Sequence, residues 1–382
     1  MNTNKPIFKA LNNFLTEYSE KNLYNVYKPV AVGKYGIRKR ESIYSKELAS
    51  DYSKNKVIYK NTLTVGMGSN QIDIGILTDD EMYSVSPAYH TYKISGINAK
   101  YLEYCLKYRN NEMFEKYSKR GARQGKSIEF KKWLTYKIPV FPIDVQEDIV
   151  NKLKVISSNI EVQNQKMDLY KELIKSRFIE MFGDPVFNTK GYPELSLPKL
   201  GTLGRGVSKH RPRNAPALLG GKYPLIQTGD VANADLYIEK YNSTYSELGL
   251  KQSKMWKSGT LCITIAANIA KTAILTFDAC FPDSVVGFTA NERTNNIFIH
   301  YWFSFLQKII EEQAPETAQK NINLGTLSGL SVIVPPINEQ NRFAEWIKEM
   351  QKLLKVVNQQ INYNEELLIA EMHNYFDQEG EC

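Results

Sequence analysis

Residues 138–156 read IPVFPIDVQEDIVNKLKVI, and residues 332–350 read VIVPPINEQNRFAEWIKEM. Pro142 aligns with Pro336, Ile143 with Ile337 and Gln146 with Gln340, so the two stretches are copies 194 residues apart. Each is a short apolar strand, a proline stop and the start of a long helical pattern. Proline has a fixed φ and no N–H, so it suits the position just before a helix and ends the strand there.

The helical patterns repeat as well. Steps of seven residues connect Leu153, Ile160, Met167, Ile174 and Met181 in the first copy. In the second they connect Ile347, Leu354, Ile361, Leu368 and Tyr375. Intermediate positions Ile156, Gln163 and Tyr170 correspond to Met350, Val357 and Asn364. Apolar residues kept at this spacing wind helices around one another, so the two helices are expected to pair. About 35 residues at 1.5 Å each make a rod on the order of 50 Å long.

Between the helices the duplication continues. Thr62/Thr260, Leu63/Leu261, Asn70/Asn268, Ile76/Ile274, Ser86/Ser284 and Thr91/Thr289 stand 198 apart, and Lys126/Lys320 return to the offset of 194. The chain therefore divides into a globular block at 1–145, a long helix at 146–183, a second block at 184–338 and a second helix at 339–382. Within the first block the spacing of Ile7, Phe8, Leu11, Phe14, Leu15 and Tyr18 predicts a short helix over 6–18. The second block begins with a leader (YPELSLPKLGTLGRGVSKHRPRN) that has no counterpart in the first. Val57–Leu77 reads as strands joined by tight turns, 99–118 as helical, and YPLIQTGDV (223–231) as a strand.

Charge is distributed unevenly over these parts. Of the net +8, residues 1–145 carry +10 and 184–338 carry +3, whereas 146–183 are neutral and 339–382 carry −5. Basic blocks suit a polyanion, and neutral or acidic helices suit protein partners. Cys105, Cys262, Cys280 and Cys382 show no ligand spacing, and the four histidines are equally dispersed, which reads as a reduced cytoplasmic protein without a structural metal. Neither an apolar leader nor a run long enough to span a bilayer is present in this sequence.

Catalytic motifs fail on spacing. GARQGKS (121–127) has three residues between its glycine and GK where a phosphate loop needs four, and it precedes a strand. SPAY (86–89) lacks the second proline of an adenine-gripping motif, and Glu129/Lys131 lack an upstream aspartate partner. No nucleophile–base arrangement can be argued. Binding chemistry remains. Arg and Lys reach phosphates and the guanine O6/N7 edge, and Asn pairs with adenine. Candidates in the first block are Lys34, Arg38, Arg40, Asn70, Arg120, Arg123 and Lys126. Those in the second are Lys209, Arg211, Arg213, Asn214, Asn268, Lys271 and Lys320.

With YPLIQTGDV, VSPAYHTYKI (85–94), the paired IPVFPIDVQ and VIVPPINEQ segments and MFGDP (181–185), the sequence resembles the specificity subunit of type I restriction-modification enzymes. The resemblance covers nearly the whole chain. It implies an α+β protein with two similar target recognition domains, separated by two long helices that pair as an antiparallel coiled coil. Each domain would read one half of a bipartite DNA site, and the helices would set the spacing. Two modification subunits using S-adenosylmethionine would dock on the chain. Restriction subunits using ATP with Mg would join them, and this chain would carry no catalytic site or cofactor. The other readings left by the residues are a coiled-coil adaptor for protein or RNA, and a fused methyltransferase or nuclease.

Overall fold

The computed structural model describes residues 5–34, 36–43, 49, 51–266 apart from 121–125, 269–313 and 322–377, with backbone only at 120, 126 and 308–313. Two compact units emerge, one from the described parts of 1–165 and 358–382, the other from those of 166–357.

In the first unit the order is β1 (Ile7–Ala10), β2 (Leu15–Tyr18), β3 (Val30–Gly33), β4 (Gly36–Lys39), β5 (Lys56–Ile58), β6 (Thr62–Met67), β7 (Ile72–Leu77), β8 (Tyr83–Val85) and β9 (His90–Ile94). Helices α1 (Ala99–Tyr108) and α2 (Asn110–Tyr117) follow, then β10 (Ser118–Arg120), β11 (Lys126–Ile128), α3 (Phe130–Trp133), β12 (Lys137–Val140) and the long α4 (Ile143–Phe182). The main sheet is antiparallel in the order β2-β9-β6-β7. Residues 6–18 are not a helix. Ile7–Ala10 pairs with Lys137–Val140 and Leu15–Tyr18 with Thr91–Ile94, joined by a 3-10 turn at Leu11–Asn13. Leu11, Phe14 and Leu15 do point inward as their spacing suggests, but two distant strands capture the backbone on either side of them.

The second unit continues with β13 (Glu194–Ser196), α5 (Leu197–Leu200), β14 (Gly201–Arg205), β15 (Leu219–Leu225), α6 (Thr228–Ala232), β16 (Tyr237–Ile238), β17 (Ser243–Tyr245) and α7 (Glu247–Lys251). Then come β18 (Met255–Trp256), β19 (Leu261–Thr264), β20 (Thr272–Leu275), β21 (Ala279–Cys280), β22 (Val285–Ala290), α8 (Asn296–Gln313), α9 (Leu324–Ser328), β23 (Ser331–Ile333) and α10 (Ile337–Phe376). Its main sheet runs β14-β22-β19-β20-β16, the same order as the first with one added parallel strand. The leader that seemed unique to this block therefore has a counterpart. β13 pairs with β23 as β1 pairs with β12, and β14 lies on β22 as β2 lies on β9. Sequence comparison missed it because the two segments share geometry and few residue identities. The YPLIQTGDV segment is strand only to Leu225. Beyond it the Asp230 carboxylate accepts the Gln227 N–H at 2.8 Å and starts a helical turn.

Each long helix is rooted by the same side chain. Gln146 is buried; its Oε1 accepts the Asn98 N–H at 2.9 Å, and its Nε2 donates to the Phe141 carbonyl at 2.8 Å. Gln340 is buried too, accepting from Thr294 Oγ1 at 2.8 Å and donating to the carbonyls of Arg293 at 3.1 Å and Pro335 at 2.8 Å. An amide supplies both an acceptor and donors, so one residue satisfies the carbonyl before the proline and bonds the segment that leads into α1 or α8.

α4 and α10 each have 40 residues. In the first unit Ile149, Val150 and Leu153 near the start of α4 share a core with Met372 and Phe376 near the end of α10. In the second, Ile174, Phe178 and Phe182 share one with Phe343, Ala344 and Ile347. Within both units the helices are thus antiparallel, and burial follows the expected seam: Leu153, Ile156 and Ile174 on one helix, Ile347, Met350, Leu354, Val357 and Ile361 on the other. Their ends are capped. Arg109 Nε donates to the Phe376 carbonyl at 2.8 Å, and Lys190 Nζ to those of Glu180 and Met181 at 2.8 Å. Gly183, at φ 73°, ends α4 as its position suggests.

Cys105, Cys262 and Cys280 are free and buried. No described helix is long and apolar enough to cross a membrane, and among the described residues no group of His, Cys, Asp and Glu could hold a metal ion.

Replacing Gln340 with Leu leaves the Thr294 hydroxyl and two carbonyls unpartnered; urea unfolding is expected to show a loss of about 2–4 kcal/mol. His300 on α8 is buried with Nδ1 2.9 Å from Thr272 Oγ1, and burial pushes its pKa down to about 4. Above pH 6.5 the ring is neutral both folded and unfolded. Below that the unfolded chain takes up a proton that the fold refuses until about pH 4. The second unit should therefore lose about 2 kcal/mol between pH 7 and 5 on this account. His300→Gln should flatten that part of the profile, as read by urea titrations at each pH.

Candidate nucleic-acid interface

In the first unit the basic residues Lys34, Arg38 and Arg40 belong to the β3–β4 hairpin. Lys34 lies in its turn, Arg38 stands opposite Ala31, and Arg40 follows the last residue of β4. Val30 and Val32 are buried, fixing which face of the hairpin turns inward. The hairpin is seated on Gly75 of β7, where a Cβ would come 2.6 Å from Ile37 Cγ1 and 3.1 Å from the Ile37 backbone nitrogen. At its turn, Gly36 (φ 79°) approaches Glu103 and Lys107 of α1. Burial pushes the Glu103 carboxyl up, but Lys107 at 2.6 Å and Lys100 at 2.7 Å outweigh it and hold the group below the usual carboxylate range.

Beside this hairpin stands a feature the sequence reading missed. Asn22 is buried and its side chain accepts the N–H groups of Val26 and Tyr27, both at 3.1 Å, while donating to the Tyr27 carbonyl at 3.0 Å. The clamp closes a tight loop with Asn25 at φ 52° and displays Leu23, Tyr24 (88% exposed) and Val26. Asn25 Oδ1 accepts the Tyr52 N–H at 2.9 Å, and Arg40 lies over the Tyr52 ring at 5.6 Å, so the apolar tip neighbours a predicted cation. The available signal was aromatic residues framed by Lys21 and Lys28.

Asn70 is exposed on the β6–β7 turn. The backbones of Arg120 and Lys126 face each other across the β10–β11 pair, and β11 packs beside β6. Arg123, Asn268 and Lys320 lie outside the described residues, as do the side chains of Arg120 and Lys126.

In the second unit the loop after β14 is tied down along its length. The Lys209 N–H donates to the Gln252 carbonyl at 3.3 Å, that of His210 to Gln252 Oε1 at 3.1 Å, and Ser253 Oγ to the Val207 carbonyl at 2.8 Å. The Arg211–Pro212 bond is cis. Arg211 Nη1 donates to the carbonyls of Ser208 at 2.6 Å and His210 at 2.9 Å, and Nη2 lies 3.5 Å from Asp283 Oδ2. Arg213 forms an ion pair with Asp283 Oδ1, off hydrogen-bonding geometry. Arg205 Nε donates to the Asp283 carbonyl at 2.5 Å. Arg213 and Asn214 also border a recess of about 230 Å³ with Gln227, Thr228 and Ser284 at its polar edge and Leu225 and Pro282 among its apolar walls. The structure therefore gathers Arg211, Arg213 and Asn214. Lys271 belongs to a different turn, between β19 and β20, where its N–H and carbonyl both bond Thr264 Oγ1 at 3.1 and 3.2 Å.

The family described as the type I restriction modification DNA specificity domain matches residues 199–363, from α5 into α10. Residues 199–363 thus carry the features of that specificity domain. A relative from Methanocaldococcus jannaschii, assigned as the type I restriction enzyme MjaX specificity subunit, is 21% identical over 268 residues. The alignment takes in 68% of this chain and 63% of that relative's length. Among solved structures, the specificity subunit of the type I restriction-modification system from M. genitalium superposes with a TM-score of 0.59 at 14% identity, over 100% of this chain and 98% of the other. A chain from a structure addressing complex assembly and conformational transition of the type I system gives 0.54 at 14%, covering 97% of each. At these identities the likeness concerns the fold. The specificity-subunit family match falls on the second unit, while the repeated sheet order extends the same plan to the first.

Gly75→Ala pushes a methyl group into Ile37 and should destabilise the first unit by about 1–3 kcal/mol. Adding Ile37→Ala should recover part of the loss in thermal melts, since it removes the closest colliding atom.

Proposed function

We propose that this chain is the DNA-reading subunit of a type I restriction-modification complex. Each unit reads one half of a bipartite duplex site, and the paired helices set the distance between the halves. The observation that carries this reading is the repeated topology: two sheets of the same strand order, each ending in a strand, a proline and a long helix. A duplicated reader on a rigid spacer suits a split target better than a single continuous one.

Two modification subunits dock on the chain. Supporting this, α4 exposes Val155, Val162 and Leu169 at seven-residue intervals, and α10 exposes Val356 and Tyr363 at the positions equivalent to Val162 and Leu169. Apolar residues repeated on the outward side of a helix suit a protein partner. In this scheme the modification subunits bind S-adenosylmethionine and methylate adenine, restriction subunits use ATP with Mg, and this chain acts without a catalytic site or cofactor of its own. The hairpin bearing Lys34, Arg38 and Arg40 and the loop bearing Lys209, Arg211 and Arg213 form the surfaces that meet DNA.

Adenine methylation mapping of host DNA with and without this gene tests the proposal. Loss of a motif with two short halves around a fixed gap is expected. An unchanged map in cells that make the modification subunit, with no binding of the purified chain to that subunit, would favour an adaptor of the coiled-coil kind.

A further inference from the structure

We infer that the recess beside Arg213 is a nucleobase-reading site in which Asp283 aims the Arg213 guanidinium at the edge of a guanine. The inference rests on the DNA-reading function and assigns the arginines of this loop different tasks. Arg211 is used up by the protein itself, since its terminal nitrogens serve the Ser208 and His210 carbonyls and Asp283. Arg213 has only Nη2 engaged, and its side chain is 45% exposed at the mouth of the recess. Among the described residues, its Nε and Nη1 have no partner.

The lining separates a base from a phosphate. A phosphate in the recess would meet a guanidinium already neutralised by a carboxylate, with apolar walls at Leu225 and Pro282. A base presents a flat apolar face to such walls and a polar edge to Asn214, Gln227, Thr228 and Ser284. Nη2 carries two hydrogens, so with one turned to Asp283 the other still forms a planar edge with Nη1 or Nε, and that edge matches the paired O6/N7 acceptors of guanine. Asp283 limits the directions the side chain can take, and a held fork loses less entropy when it forms paired bonds. Asp283 is itself fixed from behind by the Arg205 bond to its carbonyl. Phosphate contact falls instead to Lys209, an exposed side chain whose backbone alone is tied down.

The test uses the full chain assembled with its modification subunits, comparing wild type with Asp283→Asn, Arg213→Lys and Lys209→Ala. Methylation mapping defines the target, and binding is then measured against duplexes altered at one base pair at a time over a range of salt. Asp283→Asn and Arg213→Lys should each lower discrimination at a single G·C pair of one half-site by about tenfold or more. The other half-site should keep its letters. Lys209→Ala should reduce affinity evenly across sequences and lower the salt slope by about 1. An intact motif in Arg213→Lys, with affinity unchanged or lowered evenly across sequences, would overturn the base-reading site alone. A wild-type complex without any split motif would overturn the DNA-reading function and this site together. Thermal melts of each variant identify unfolding, and if Asp283→Asn unfolds, the exposed Arg213 decides the question.

Discussion

A buried glutamine at the foot of each long helix is the contact on which both units depend. Gln146 and Gln340 each join three things that the chain brings together only after folding: the end of a strand, the start of a long helix and the segment leading into α1 or α8. The proline before the helix cannot donate, so the carbonyls around it need a partner from a side chain, and an amide provides one without charge. A carboxylate there would lack the donors, and an aliphatic residue would leave the carbonyls empty in a dry site. In both copies the glutamine amide meets the carbonyl that precedes the proline.

From that joint the helices take their direction. The seam is ordinary apolar packing, and its antiparallel sense is visible inside each unit because the beginning of one helix shares a core with the end of the other. The aromatic cluster of Phe178, Phe182, Phe298 and Phe343 holds the second unit to its helices, with ring centroids 4.9–5.5 Å apart. In the first, Tyr101 packs edge-on against Phe376 at 5.4 Å, and its hydroxyl donates to the Pro139 carbonyl at 2.8 Å. Different side chains thus anchor the same joint in the two units.

The basic loops of the two units are held in different ways. The first hairpin is positioned by shape, through the bare backbone of Gly75 and the packing of Ile37. The second loop is positioned by hydrogen bonds and charge, with Gln252 and Asp283 as its anchors. Cations fixed in place suit reading of base edges, whereas mobile lysines suit phosphates that repeat along any duplex.

The amino-acid sequence alone determined the duplication, the strand–proline–helix joint, the helix seam and the glycine that ends the first long helix, because each is a periodic or local signal. It also placed Lys34, Arg38 and Arg40 on one loop and Lys209, Arg211, Arg213 and Asn214 on another. Only the tertiary structure decided that residues 7–18 are two strands about a 3-10 turn, since the strands' partners lie more than 70 residues away and outweigh a helical spacing. It alone brought Asp283 to Arg211 and Arg213, across about 70 residues of chain, and raised Tyr24 on a loop closed by Asn22. Periodicity is carried by neighbours along the chain; a counterion or a strand partner is chosen through space, and nothing in the local pattern reports it.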